Sequence, residues 1–200
     1  MAIDFKKTGF TSDFIRENGL NEDAFREWVL YRGMLFRSTD KWWDDRGIRN
    51  TTHEGLDLCL YRDQQERIYQ ITKGMNIPVL YEGIVAGIIN DFIGESVIVK
   101  HYMTDSSNKE FFTIYGHTSP KDNICTGRTV RAGEIIATLA GSSRPKPVIS
   151  PHLHISVGYS ASGEISYNAL NWSDIDDPEK ITLIDPLHVI DRYRVMRDQR

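Results

Sequence analysis

The residues best suited to chemistry stand in two short motifs far apart in the chain, His53-Glu-Gly-Leu-Asp57 and His152-Leu-His154. Imidazoles with one carboxylate are what a mononuclear zinc site uses, three protein ligands leaving a fourth position for water or substrate. Between them, in Ile114-Tyr-Gly-His117-Thr118, a further imidazole is available. Hydrolytic zinc chemistry is the first reading.

The spacings limit how such a site is built. On an extended strand, residues two apart share a face with Cα atoms roughly 6.6 Å apart. His152 and His154 therefore reach one pocket, but not one zinc comfortably, since Zn–N bonds are only about 2.0–2.1 Å long. One should ligate while the other faces the open position. Taken alone, HxH is more simply two imidazoles on an exposed strand face. Fully extended, His53 and Asp57 would stand roughly 13 Å apart. Gly55 removes that difficulty if it adopts a turn or bulge. The alternation Asp57-Leu-Cys-Leu-Tyr61 favours a loop entering a strand over a helix. Glu54 faces the wrong way in the motif to serve as a base. His117 follows an aromatic strand and precedes Ser119-Pro120, so its plain reading is a turn histidine. His101 and His188 read as structural.

The elements that must position these residues read mainly as short strands. From about residue 46, runs at Asp57–Tyr61, Val79–Ile89, Ser96–Tyr102, Phe111–Tyr115, Glu134–Ala140 and His154–Tyr159 are divided by Gly, Asp and Asn. Strands at this spacing without intervening helices predict a mainly β, antiparallel sheet fold. Glu82-Gly-Ile-Val-Ala-Gly87 has the glycines of a bent strand. Before this region, Asn21 is expected to cap a helix with Ala24, Phe25, Trp28, Val29 and Tyr31 at helical spacing. Residues 1–43 are thus read as an N-terminal helical extension, 44–190 as the main domain and 191–200 as a C-terminal tail. Residues 160–184 read as a long loop or insertion.

Composition bounds the partners. Of 200 residues, 40% are apolar and 26% charged, with a formal net charge of -4. This gives no basic surface for nucleic acid, and no apolar run is long enough to span a bilayer. The start, MAIDFKKTGFTSDF, lacks the apolar stretch of a secretory signal. The expected location is cytoplasmic as written, or periplasmic or extracellular for a trimmed form. Cys59 reads as a small buried side chain, and a Cys59–Cys125 disulfide is unsupported by spacing.

Three motifs in order, His53-Glu-Gly-Leu-Asp57, Tyr115-Gly-His117 and Pro151-His-Leu-His154, resemble the HxGxD, YxH and PHLH motifs of the lysostaphin and LytM-type zinc endopeptidases. Thr129-Val-Arg-Ala-Gly-Glu-Ile-Ile-Ala137 and Asp185-Pro-Leu187 are similar to further segments of that family, so the resemblance covers about residues 44–190. It implies a LytM-type antiparallel β fold, β-sandwich-like and of the duplicated hybrid motif type, with the site in a groove. It also implies one Zn2+ per chain held by His53, Asp57 and His154, with His117 and His152 as catalytic histidines. The implied substrates are peptide bonds of bacterial peptidoglycan, in cross-bridges or stem peptides; oligomeric state is left open. Members that have lost ligands act as non-catalytic regulators of other wall hydrolases, and a zinc peptidase acting on a non-wall peptide is a further alternative. This chain departs from the family at Ile155-Ser156, where Phe-Glu is usual, at Thr118, and in a longer, proline-rich segment from Gly141 to Pro151. That segment, and residues 160–184, are expected to wall the substrate groove.

Overall fold

Runs of β-branched and aromatic residues separated by turn-forming residues make pleated, half-buried surfaces that pair into sheets. A computed structural model describes residues 7–21, 23–44, 46–104, 109–141, 149–160 and 165–196. The first strands are β1 (Glu27–Leu30), β2 (Leu56–Leu58), β3 (Leu60–Arg62), β4 (Ile68–Gln70) and β5 (Asn76–Pro78). The long central ones are β6 (Gly83–Asn90), β7 (Glu95–Thr104) and β8 (Glu110–Pro120), followed by β9 (Thr129–Val130) and β10 (Ile135–Leu139). The last are β11 (Leu153–Ser160), β12 (Ile181–Ile184) and β13 (Tyr193–Val195). Helix α1 spans Phe10–Glu17 and the short α2 spans Trp172–Ile175.

The main sheet runs β12-β11-β8-β7-β6-β9, with β2 on β11 and β10 joining β8 to β5. A smaller sheet runs β13-β1-β3-β4. All of these pairs are antiparallel except β1 with β13. Alternation along the central strands buries both faces. Val97, Val99, Tyr115, Ile155 and Val157 join Trp28, Leu30 and Tyr61 of the smaller sheet in one core. Ile98, Phe112 and Ile114 point to the other face, where Tyr167, Leu170, Ile175 and Ile181 cover them. Residues 160–184, expected as a loop, thus supply a second core and an edge strand, while 161–164 lie outside the described residues.

The predicted helix after Asn21 is not there. The Asn21 side chain does accept the Ala24 N–H, but it closes a turn, and strand β1 follows. Trp28, Val29 and Leu30 are all buried. A helix would turn one of three successive residues to solvent, whereas a strand paired on both edges inside two layers buries them all. The helix lies earlier, where Phe10 and Phe14 at i and i+4, with Ile15, form the buried stripe of α1. The Phe14 ring rests 5.1 Å from that of Trp28.

Two predicted strands differ in their bounds. Asp57–Tyr61 splits at Cys59, sending β2 to the main sheet and β3 to the smaller one. Of Val79–Ile89 only the part from Gly83 is strand, as β6, since the preceding residues form the turn after β5, where the Leu80 N–H donates to the Tyr115 hydroxyl at 2.7 Å. The expected bend at Gly83–Gly87 is a register shift between Val85 and Gly87. Cys59 is buried and Cys125 exposed, both free thiols. No helix among the described residues is long and apolar enough to cross a membrane.

Candidate metal centre

Sheet register brings the sequence motifs together. On β11, His154 pairs with Asp57 of β2 on one side and with Gly116 of β8 on the other. His53 precedes β2 in a loop pinned to the preceding segment, its N–H donating to Ser38 O at 3.0 Å and its carbonyl accepting from Arg37 N at 2.9 Å. The result is a tight triangle. His53 Nε2 is 3.0 Å from Asp57 Oδ1 and 3.1 Å from His154 Nδ1, and His154 Nδ1 is 2.9 Å from Asp57 Oδ1. All three side chains are buried.

Proton accounting around the triangle points to a cation. The Leu35 carbonyl, 3.0 Å from His53 Nδ1, can only accept, so the proton of a neutral His53 ring sits on Nδ1 and Nε2 presents a bare lone pair. His154 Nε2 has the Ser156 hydroxyl at 2.8 Å to receive its proton, leaving Nδ1 bare. Two imidazole lone pairs and a carboxylate oxygen then converge at hydrogen-bond distance with no proton to share. Tetrahedral zinc with bonds of about 2.0–2.2 Å sets its ligand atoms roughly 3.3 Å apart, close to the observed separations. The group fits a metal as three donors. Ser156, where the resembling family usually has Glu, takes the outer position behind His154.

The electrostatics agree. Burial pushes the His154 pKa down to about 4, against the pull of Asp57, so the ring is neutral as a ligand must be. Burial also opposes the charge of Asp57, but the facing imidazoles of His53, His152 and His154 hold it well below the usual carboxylate range. Its second oxygen accepts the Trp42 indole N–H at 2.7 Å and lies 3.4 Å from Arg49. The Arg49 guanidinium also donates to the Gly33 carbonyl at 2.9 Å and lies over the Trp43 ring at 4.3 Å. Neither Trp42 nor Arg49 was singled out from the sequence; a Trp-Trp pair in a polar stretch just ahead of a His motif was the available signal.

His152 and His117 stand across the opening from the triangle. His152 Nε2 is 3.8 Å from Asp57 Oδ1, beyond the trio, and its Nδ1 donates to the Ser150 carbonyl at 2.9 Å. Burial lowers its pKa to about 3, opposed by Asp57. Of the two, His154 lies within the trio and His152 outside it. His117 is no surface turn residue. It lies inside β8, 5% exposed, with φ 60, a left-handed conformation rare for a side-chain-bearing residue. Its ring sits 4.5 Å from that of His152 and 5.9 Å from that of His154.

Asp91, in the β6–β7 turn, was also not legible in the sequence, where Asn-Asp-Phe-Ile-Gly reads only as a turn. Its Oδ2 accepts the Ser96 hydroxyl at 2.7 Å and the His117 backbone N–H at 3.1 Å, and stands 2.9 Å from His117 Nδ1. Burial works against its charge, but the His117 ring and these donors hold its pKa down at about 2.

Gly55 works differently from its expected role. It is not among the residues with positive φ. A Cβ there would meet the Ile155 carbonyl oxygen at 2.3 Å and His154 Nε2 at 2.8 Å, so what the motif needs is space for the backbone to pass β11. Gly116 likewise makes room, since its Cβ would lie 3.2 Å from that of His154.

The centre opens into a cavity of about 190 Å³ whose lining includes Trp43, Glu54, Phe92, Ile149 and Trp172. Glu54, set aside from the sequence, therefore faces the site, and burial raises its pKa. Trp172 meets His154 edge-on at 5.2 Å. Of the two expected groove walls, Ile149 and Trp172 are the parts at the site, and 142–148 lie outside the described residues. His101 is structural, its ring held between the Glu82 carbonyl at 3.0 Å and the Thr113 hydroxyl at 2.8 Å.

Comparison with known proteins agrees in kind. The model of Peptidase family M23 matches residues 52–166. No curated protein sequence matches the chain. Among solved structures, the chain is similar to the catalytic domain of the prophage-encoded M23 protein EnpA from Enterococcus faecalis, at 22% identity and TM-score 0.41 over 62% of this chain and 81% of that one. It is similar to LytU at 20% identity and TM-score 0.44, covering 76% of this chain and 81% of that one. For the antimicrobial peptidase lysostaphin from Staphylococcus simulans the values are 19% and 0.43, over 82% of this chain and 52% of that one.

Proposed function

The chain belongs to peptidase family M23, and on that premise we propose that it is a zinc-dependent metalloendopeptidase that hydrolyses peptide bonds of bacterial peptidoglycan, in cross-bridges or stem peptides. The observation that carries the reading is the convergence of His53 Nε2, Asp57 Oδ1 and His154 Nδ1 within 2.9–3.1 Å of one another in a buried pocket. One zinc per chain is the proposed occupant, and it supplies Lewis-acid polarisation of the scissile carbonyl and acidification of water.

The chain's own groups then have distinct tasks. Leu35 and Ser156 fix the tautomers of the two ligand imidazoles, and Trp42 with Arg49 holds the carboxylate. His117 and His152, buried beside the triangle but outside it, take up or return the proton of the attacking water and hydrogen-bond the developing oxyanion. With its Nδ1 proton directed at the Ser150 carbonyl, the neutral His152 ring offers Nε2 as the acceptor nitrogen toward the centre. Trp43, Phe92, Ile149 and Trp172 offer apolar walls against which a peptide can be held and water excluded. All five site residues are retained, which favours catalysis over a purely regulatory role.

The test is metal analysis of the purified protein together with mass spectrometry of the products released from peptidoglycan of defined cross-link chemistry. Near-stoichiometric zinc and new amino termini within the peptides are expected. Stoichiometric zinc with no cleavage of any peptidoglycan tested would refute the enzymatic reading.

A further inference from the structure

The turn between β6 and β7 is built around one histidine. Gly94, at φ 75, closes the turn tightly, and a Cβ there would meet the Thr118 carbonyl oxygen at 2.4 Å. The Asp91 N–H donates to the Gly94 carbonyl at 3.0 Å, which fixes Asp91 at the turn's start. From there its carboxylate, with no exposed side-chain surface, reaches the backbone N–H and the ring of His117 with the same oxygen. On the other side of the turn, Phe92 meets the His117 ring edge-on at 4.8 Å. The Ala140 N–H caps the His117 carbonyl at 2.9 Å. Thus the left-handed backbone of His117, strained at a non-glycine residue, is held by contacts on every side.

We propose that Asp91 is a positioning residue for His117: its carboxylate keeps the imidazole proton on Nδ1, so that Nε2 is the nitrogen offered to the cavity. This rests on the hydrolytic reading above for its purpose, but not for its geometry. A carboxylate oxygen only accepts, so at 2.9 Å it faces Nδ1 without repulsion only if that nitrogen carries a proton. The approach lies off a linear hydrogen bond, so the contact acts chiefly through charge and proximity. A base oriented by a third group is the arrangement that makes proton transfer efficient, because the wrong tautomer presents an N–H where a lone pair is needed. Asn cannot substitute at this position. Oδ2 receives the Ser96 hydroxyl and the His117 N–H, while Oδ1 receives the Phe92 N–H at 2.6 Å. Either orientation of an amide sets its NH2 against one of those donors.

The test compares wild type, Asp91→Asn and Ser96→Ala, each as the full chain. Nitrogen-15 shifts of the His117 ring, recorded at one neutral pH on zinc-loaded and metal-free protein, should show Nδ1 protonated in wild type and that signature lost in Asp91→Asn. Zinc content and KM should be unchanged while kcat falls by about 10²-fold, the scale of a misdirected general base. Ser96→Ala removes one donor to the same oxygen but leaves the carboxylate beside the ring, and should keep both the signature and kcat. The proposal is overturned if Asp91→Asn retains the Nδ1 signature, or if Ser96→Ala loses as much turnover as Asp91→Asn, which would make turn integrity the cause. Should wild type bind zinc yet cleave nothing, the hydrolytic reading fails, and the ring-nitrogen spectra still decide the role of Asp91.

Discussion

Replacing Trp42 by Phe isolates one bond in the shell behind the proposed metal. The indole N–H reaches Asp57 Oδ2 at 2.7 Å, whereas Arg49, the other donor to that oxygen, stands at 3.4 Å. Asp57 Oδ1 is the oxygen in the triangle, so Trp42 steers the ligating oxygen by holding its twin. Phenylalanine keeps an aromatic ring for the edge-on contact with His152, now 5.1 Å between centroids, and removes the N–H. Outer partners of metal ligands are typically worth 10–100-fold in affinity. With Arg49 still present, the lower end is expected, about 10-fold or ~1.4 kcal/mol. The assay is competition for zinc against a chelator of known affinity, with thermal unfolding of the metal-free protein as the check on folding. Trp43→Phe is the comparison, because Trp43 packs under Arg49 and makes no bond to Asp57. Unchanged zinc affinity in folded Trp42→Phe, or an equal loss in Trp43→Phe, would refute the reasoning.

Other substitutions separate the remaining roles. Asp57→Ala and His154→Ala should abolish stoichiometric zinc, while His152→Ala and His117→Ala keep it and lose turnover by roughly 10²-fold or more, read by metal analysis beside peptide cleavage. Gly55→Ala should weaken zinc and lower the unfolding midpoint, since its methyl would overlap the Ile155 carbonyl, at a cost of about 1–3 kcal/mol. Trp172→Ala should keep zinc but change which peptides are cut, as seen in product profiles. The buried His101 has its pKa lowered by burial to about 4, below its ordinary 6.5. The unfolded chain therefore binds the extra proton first, and stability present above pH 6.5 is lost as pH falls toward 4. In metal-free protein, His101→Gln should show a smaller drop in urea midpoint across that window; an unchanged drop would count against the shift.

The sequence by itself pointed to the candidate donors and determined the class of fold. Histidine and aspartate are ligand types by their chemistry. Their presence at HxGxD and HxH spacings, amid β-branched runs punctuated by glycine, pointed to a candidate metal site on strands. Local pattern also sufficed for most of β7, β10 and β11, whose composition and environment agree. It misled at Glu27–Leu30, because Trp28 and Val29 suit a helix stripe as well as a strand, and only burial between β13 and β3 decides. It missed the break at Cys59, where one continuous pattern serves two sheets. The tertiary structure alone decided the rest of the site. Register, which no local signal encodes, sets His154 between Asp57 and Gly116. Long-range folding brings Trp42 to Asp57 and turns a hairpin so that Asp91 meets His117. Space, not backbone freedom, explains Gly55. Those contacts join residues whose identities are unremarkable where they stand in the chain, and they acquire chemistry only from what packs against them.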